Sequence, residues 1–481
     1  MDIVCTYKVA IFVPFNRYYL KSLHFIYLTC FLLQIENLSL LKICLLFVLI
    51  TIPSVIAQRQ PLIDPAAERL LPLYRLIRES LTESLGNAEQ HKILLKDNRK
   101  LGVSIFYIFE LYQHYIIPNS TNFFCDPNGP GRRSRNPPTS VHKLRPGDID
   151  IVGSLGDSIS GGNGMLLKDM TGILVENRGL VFTTGGDSNW REFFTLPNVL
   201  RVYNPNLNGY AMGNSPGYAK SARFNIAEPV AMSKDLKYQA LLLYKRMKSD
   251  PKVDMQKHWK VITIFMGHND FCSENCYVGN YSQIIKNHKK DVLKTLRFIR
   301  DTIPRVYINY MPIANMKELV DLKGNPESCD ILHTMECSCM FRPEFKEVLY
   351  VIFQNVFTNF SCIQDFEVTI QPFAAYGKLP RLKNGLNDYR YLAFDCFHFS
   401  QRGHAVFTNM LWNNMLQPEG KKTTSWLHEF SRVECPTKER PYFATIRNSL
   451  RIAFAVSKRH FRFVCCQVSK SLEKFFFCRD D

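Results

Sequence analysis

The stretch "IDIVGSLGDSISGGNG", residues 149–164, changes character at its middle. Its first half is apolar and of strand length; its second half is glycine and serine with a single acid, the composition of a tight turn. A strand that runs straight into such a turn presents Ser158 at its carboxyl end. Whether that serine does chemistry depends on what the rest of the chain brings to the same edge.

Other runs of the same kind follow. "KVITIFMG" (260–267), "RVYINYMP" (305–312) and "FEVTIQPF" (366–373) are β-rich and of strand length, and "RFNIA" (223–227) is a fifth candidate. Helical segments such as "DLKYQALLLYKRMKSD" and "YSQIIKNHKKDVLKTLRFIRDTIP" lie between them. Strand, long crossover and strand again predicts an α/β chain with a mainly parallel sheet covered on both faces. Such sheets gather functional groups at the carboxyl ends of their strands.

The residues at those ends are Gly156-Asp157-Ser158, Gly267-His268-Asn269-Asp270 and, after the last strand region, Asp395-Cys396-Phe397-His398. A serine hydroxyl is a poor nucleophile until a base takes its proton, and an imidazole base needs an acceptor to orient it. Asp395, three residues before His398, can meet Nδ1 within one turn and leave Nε2 for Ser158. The oxyanion formed by attack needs donors already in place. Backbone N–H groups in the turn at Ser158 and the side-chain amide of Asn269 are candidates for them.

These blocks, "LGDSIS", "GHND" and "DCFH", resemble those of the GDSL, or SGNH, serine hydrolase family. Longer stretches, among them "PTSVHKLRPGDIDIVGSLGDSISGGNG", "GGDSNWREFFTLPNVLRVYNPNL" and "CPTKERPYFATIRNS", look like its animal phospholipase B branch. The resemblance runs over about residues 122–449. It implies a flavodoxin-like three-layer α/β/α sandwich that hydrolyses acyl esters of phospholipids and lysophospholipids with no metal or other cofactor. Ser158 is then the nucleophile, Asp395 and His398 complete the triad, and Ser158, Val230 and Asn269 form the oxyanion hole. At the place of Val230 the family has glycine, whereas this chain reads "NIAEPVA" (225–231). A β-branched residue resists the backbone angles open to glycine. Two alternatives therefore stand beside the phospholipase reading: a catalytically impaired, binding-type relative, and an esterase acting on non-lipid acyl esters. His268 reads as a loop residue beside the pocket, the "GGDS" segment (185–188) as a structural loop, and Cys272 with Cys276 as the pair at the place of a family disulfide.

The 481 residues, 46% hydrophobic, suffice for a large core. Sixty Lys and Arg against 43 Asp and Glu give a net charge of +17. No helix-turn-helix, RNP-like or zinc-finger pattern accompanies that charge, so it reads as a solvated surface that suits phospholipid aggregates, with no nucleic-acid partner. "LLKICLLFVLITIPSVIAQ" has the basic start, short apolar run and small-residue exit of a signal peptide cleaved near Ala57, with a further apolar run upstream of it. A signal peptide or anchor over 1–57, a helical segment over 58–121, the hydrolase domain over 122–449 and a basic tail over 450–481 make up the expected organisation. The loop "CDPNGPGRRSRNPP" (125–138) reads as exposed. Fifteen cysteines and sequons at Asn119, Asn280 and Asn359 fit a secreted protein, possible membrane contact included, with most of its cysteines paired. The spacing of "CSENC" and "CSC" is not that of a zinc site.

Overall fold

The computed structural model describes residues 113–166, 175–274, 281–324, 363–426 and 428–453, together with Cys329, His333 and Cys337. The expectations for 1–57, for residues 58–112 of the helical segment 58–121, for the tail beyond Ala453 and for the sequons at Asn280 and Asn359 lie outside the described residues, and residues 113–121 form no helix.

The four longer apolar runs form β1 (Ile149–Gly156), β2 (Trp259–Phe265), β3 (Val306–Met311) and β4 (Phe366–Ile370), parallel throughout and adjacent in that order. Gly156 pairs with Phe265 and Phe265 with Met311, so three carboxyl ends finish level at one edge. The helices, in chain order, are α1 (Ser158–Gly161), α2 (Leu196–Tyr203), α3 (Leu236–Ser249), α4 (Tyr281–Thr302), α5 (Met316–Val320), α6 (Phe373–Tyr376), α7 (Gln401–Leu416) and α8 (Ile446–Ala453).

Alternation along the strands divides their side chains between two cores. Ile151, Leu155, Ile262, Ile264 and Ile308 pack with Leu243 and Met247 of α3 and with Val292, Leu296 and Ile299 of α4. Val152, Val261, Phe265, Tyr307 and Met311 pack on the other side with Val199 and Leu200 of α2 and with Phe407, Met410 and Leu411 of α7. Helices on both faces explain why the strands are apolar without a break. The result is the three-layer α/β/α sandwich expected from the sequence.

The fifth strand does not form. Residues 223–227 contribute one parallel bridge, Asn225 against Ser154, flanked by hydrogen bonds from Ser154 N to Phe224 O (3.0 Å) and from Ile226 N to Ser154 O (2.9 Å). Arg223 enters this segment with φ 51°, outside the extended region, which cuts the pairing short. The segment still covers the free edge of β1. Counted with the strands, it gives the 2-1-3-4-5 order of flavodoxin-like sheets. The last three residues of the run 366–373 also leave β4, and Phe373 begins α6.

Helix α7 carries the residues just after the DCFH block. Ser400 caps it, its Oγ accepting from Gly403 N at 3.2 Å. Nearly all of α7 is buried, because residues 430–434 run across its outer side. Asn409 and Asn413 donate to the Arg432 carbonyl at 2.7 and 2.8 Å, and the Trp412 indole donates to the Glu434 carbonyl at 2.7 Å. A disulfide between Cys125 and Cys435 closes that strap.

The cysteine expectation needs one correction. Cys272 pairs with Cys337, not with Cys276, and Cys329 pairs with Cys396. Cys272 and Cys337 are both buried in one apolar cluster with Phe271, Ile284 and Ile313, which brings the two sulfurs together. The loop 125–138 is largely exposed as expected, with Arg133 bonded to Asp150 at 2.7 Å and Ser134 N to Asp148 Oδ1 at 2.7 Å. Asn119 is exposed as well.

Candidate active site

Gly156 ends β1 where a side chain has no room, since a Cβ there would collide with Ser160 Oγ and the Phe265 carbonyl. The side-chain amide of Gln239, on α3, bonds both its N–H and its C=O at 2.9 Å. Asp157 then caps α1, Oδ1 accepting from Ile159 N at 3.1 Å, and Gly162 at φ 77° closes the single turn. Ser158 is thus the first residue of a short helix set directly on a strand end. Its hydroxyl has a fixed place.

His398 reaches that hydroxyl. Nε2 lies 2.8 Å from Ser158 Oγ, and Nδ1 lies 2.7 Å from Asp395 Oδ2. Asp395 is fully buried, and its Oδ1 accepts from Phe397 N and His398 N at 2.9 Å each. Burial alone would push its carboxyl up. The facing His398 ring and the donors to the carboxylate outweigh that, and hold it below the usual carboxylate range. With Nδ1–H committed to Asp395, the lone pair of Nε2 faces the serine O–H. The arrangement is the one that proton abstraction from Ser158 requires.

Asn269 follows β2, and its Nδ2 donates to the Ala231 carbonyl at 2.9 Å, which leaves the amide's second N–H. Ala231 adjoins Val230, so the Asn269 side chain is tied to the segment that carries Val230. The next residue repeats the tie: Asp270 accepts from Ser233 N at 3.0 Å and from Ser233 Oγ. Burial pushes the Asp270 carboxyl up to about 6, against the opposing effect of the Ser233 donors.

Val230 has φ 62°, the left-handed region that glycine occupies easily and a β-branched residue rarely does. Ala231 N bonds to Glu228 O at 3.2 Å across a turn in which Pro229 precedes it. Proline followed by a positive φ is the pattern of a type II turn, whose third position favours glycine. Val230 adopts these angles although a β-branched side chain resists them. The turn holds it there, since Glu228 N is bonded to Gly156 O at 3.1 Å on one side and Asn269 grips Ala231 on the other.

His268 is not merely a loop residue. Its Nε2 accepts from Ala314 N at 3.1 Å, so Nδ1 carries the proton and donates to Asp157 Oδ2 at 2.7 Å. It locks the residue before Ser158 to the loop after β3. Arg178 escaped the sequence reading altogether, as an arginine in an unpatterned loop carries no signal. It is fully buried and bonded to Glu176, to the carbonyls of Ser215 (2.8 Å) and Ala227 (2.6 Å), and to Asn225 Oδ1 (2.7 Å). Asn225 in turn donates to Ser160 O at 2.8 Å. One guanidinium therefore spans the segment leading to Val230 and the helix that starts at Ser158. The "GGDS" segment is structural as expected, with Asp187 Oδ1 accepting from Gly213 N at 2.8 Å and Gly186 N bonded to Ala211 O at 2.9 Å.

Beside Ser158 and His398 lies an apolar cleft. Ile159, which follows Ser158, and Phe397, which precedes His398, line it with Ala314, Leu319, Leu322 and Leu379. His268 reaches its wall, and Glu318 is its carboxylate, pushed up by burial. Among the described residues no group of three or more His, Cys, Asp or Glu side chains is placed to hold a metal ion.

Comparison with known proteins identifies the family. The model of the GDSL-like lipase/acylhydrolase family matches residues 152–411. The chain is 34% identical over 344 residues to phospholipase B1, membrane-associated, of Rattus norvegicus, which covers 68% of this chain and 23% of that protein. It is 34% identical over 335 residues to the protein of the same name from Homo sapiens, covering 66% and 22%. The chain thus spans about a quarter of the length of the curated relatives it matches.

Proposed function

Because this chain belongs to the GDSL-like lipase/acylhydrolase family, we propose that it is a serine ester hydrolase that cleaves acyl esters of phospholipids and lysophospholipids. The observation that carries the reading is the unbroken hydrogen-bonded line Ser158, His398, Asp395, at 2.8 and 2.7 Å.

His398 Nε2 takes the Ser158 proton as Oγ bonds to the ester carbonyl carbon, and the carbonyl oxygen becomes an oxyanion. The Ser158 and Val230 N–H groups and the Asn269 amide are the donors proposed to hold it. Collapse breaks the bond to the alcohol oxygen, which takes the proton from His398 and departs as part of the lysophospholipid or the glycerophosphodiester product. Water then adds to the acyl-serine, giving its proton to His398. The second collapse frees the fatty acid and returns the proton to Ser158. Asp395 remains a carboxylate throughout, which its depressed affinity for protons supports.

The apolar cleft beside the triad favours an acyl chain over a sugar ester, because its lining offers few partners for sugar hydroxyls. The left-handed angle of Val230 favours a working oxyanion hole over a binding-type relative, since the donor N–H keeps the backbone setting that glycine would have. Three disulfides among the described residues and an exposed sequon asparagine, Asn119, support export from the cell. No helix among the described residues is long and apolar enough to cross a membrane.

The test compares wild type with Ser158→Ala on lysophosphatidylcholine and on a short-chain p-nitrophenyl ester. Loss of both activities, with fluorophosphonate labelling of Ser158 in the wild type alone, is expected. Equal rates in the two proteins would overturn the assignment. A wild type that cleaves acetylated sugars faster than either substrate would move it to the non-lipid branch.

A further inference from the structure

The segment 376–394, which leads into Asp395, has two unlike sides. Its inward residues Gly377, Leu379 and Leu392 line the apolar cleft. Its outward residues include four large apolar side chains, Tyr376 (54% exposed), Leu382 (42%), Leu386 (39%) and Phe394 (40%). Hairpin tips are normally polar, because water solvates them. Here two leucines flank Lys383-Asn384-Gly385.

That tip is held rigidly. Arg381 and Asn387 form an antiparallel bridge, Leu382 N bonds to Leu386 O at 2.8 Å, and Gly385 at φ 83° turns the chain with its N–H on Leu382 O at 2.9 Å. Asn387 Oδ1 accepts from Lys323 N at 2.8 Å, and Asp388 N bonds to Pro380 O at 2.8 Å, so the base is clamped to the loop after α5. The backbone is thereby fixed, and from it Leu386 rests in part on Gly324 while both leucines stay exposed. Their exposure is built into the hairpin.

Charge decides what covers them. Lys378, Arg381 and Lys383 are exposed in the same segment. Its acid, Asp388, is buried and bonded to Arg390 at 2.7 Å, and the half-buried Glu318 is the carboxylate near Lys378 and Arg381. Outward-facing leucines interleaved with basic side chains match the boundary between phosphate headgroups and acyl chains. The same segment continues into the wall of the cleft, so an acyl chain drawn from a lipid surface enters apolar surroundings without a passage through water.

We propose that the hairpin 382–386, with Tyr376 and Phe394 in the same segment, is the surface by which this protein settles on an anionic phospholipid aggregate. Leu382 and Leu386 enter the headgroup boundary while Lys378, Arg381 and Lys383 meet lipid phosphates. The proposal rests on the lipid hydrolase reading for the choice of a lipid over a protein partner.

Vesicle sedimentation tests it with the full chain carrying Ser158→Ala, so that no lipid is consumed. The vesicles are phosphatidylcholine alone or mixed with phosphatidylserine. Leu382→Asp with Leu386→Asp is expected to lower partitioning at least about tenfold on both, and Arg381→Glu with Lys383→Glu only on the mixed vesicles. In the active background the same substitutions are expected to leave hydrolysis of a soluble short-chain ester within about twofold, which establishes an intact fold, while vesicle phospholipid hydrolysis falls in step with partitioning. Partitioning unchanged by both pairs of substitutions would overturn the proposal and leave the leucines to a protein partner. A wild type inactive on every ester would overturn the hydrolase reading instead, while the sedimentation result would still decide this one.

Discussion

His268 and Asp157 share a 2.7 Å hydrogen bond one residue away from Ser158, forming a second histidine–aspartate pair that does not contact the serine hydroxyl. Both side chains are buried, and the imidazole is held at its other nitrogen by Ala314 N at 3.1 Å. The pair fixes a tautomer and a position. Its part is to set the turn from which Ser158 rises.

His268→Ala removes the partner of a buried carboxylate, which costs about 1–3 kcal/mol. We expect a lower melting temperature and a fall in kcat of roughly tenfold with KM little changed, as each 1.36 kcal/mol of lost positioning is about tenfold in rate. His268→Asn, whose amide donates near the place of Nδ1–H, is expected to recover most of kcat. Equal loss in both variants would show that packing alone matters there.

Two substitutions test the place of Val230 in the proposed oxyanion hole. Because the turn already holds φ at 62°, Val230→Gly is expected to change kcat by less than about tenfold. Val230→Pro deletes the N–H and cannot adopt a positive φ, and a lost oxyanion donor costs about 10²–10³ in kcat. Steady-state rates on a soluble ester, with circular dichroism to confirm folding, distinguish them. A large gain from Val230→Gly would mean that valine compromises the hole.

Arg178 and Glu176 form a fully buried ion pair behind the site. Removing one member of such a pair strands the other, at a cost of about 3–5 kcal/mol. Arg178→Met is expected to lower the denaturation midpoint strongly, and Arg178→Met with Glu176→Gln to recover part of the loss. Urea titrations of the two single variants and the double variant measure the coupling.

Glu367, buried on β4, makes stability depend on pH. Its Oε1 accepts from Ile446 N at 3.2 Å, while nearby Lys422 lies 2.6 Å from Glu419 and donates to the Ile370 carbonyl at 2.9 Å. Burial pushes the Glu367 carboxyl up from 4.5 to about 8. The folded protein therefore keeps a proton that the unfolded chain has lost across that interval. The stabilisation is complete below the ordinary glutamate range and is lost as pH rises through about 8. Melting temperature is expected to decline over this window, and Glu367→Gln, neutral at every pH, to flatten the decline. Parallel slopes in the two proteins would assign the effect elsewhere.

Local and periodic features of this protein can be read from the amino-acid order alone. Four apolar runs became the four strands, because burial on both faces leaves an uninterrupted apolar signature. Two long amphipathic segments became α3 and α4, and Ser158, Asn269 and His398 were legible because each directly follows a strand or a tight polar turn. The Asp395–His398 contact was legible too, since three residues in one turn span it. Contacts between distant segments are set by the packed fold. Cys272 found Cys337, Arg178 found Asn225 and Ala227, His268 found Asp157, and the run 223–227 stopped at a single bridge. The setting of Val230 was decided in the same way: glycine is the residue that local preference favours at its φ, and valine stays there because the Gly156 carbonyl and the Asn269 amide hold the segment on either side. Local pattern follows from each residue's own preference for water and backbone angle, whereas these pairings follow from which segments the packed sheet brings within hydrogen-bonding reach.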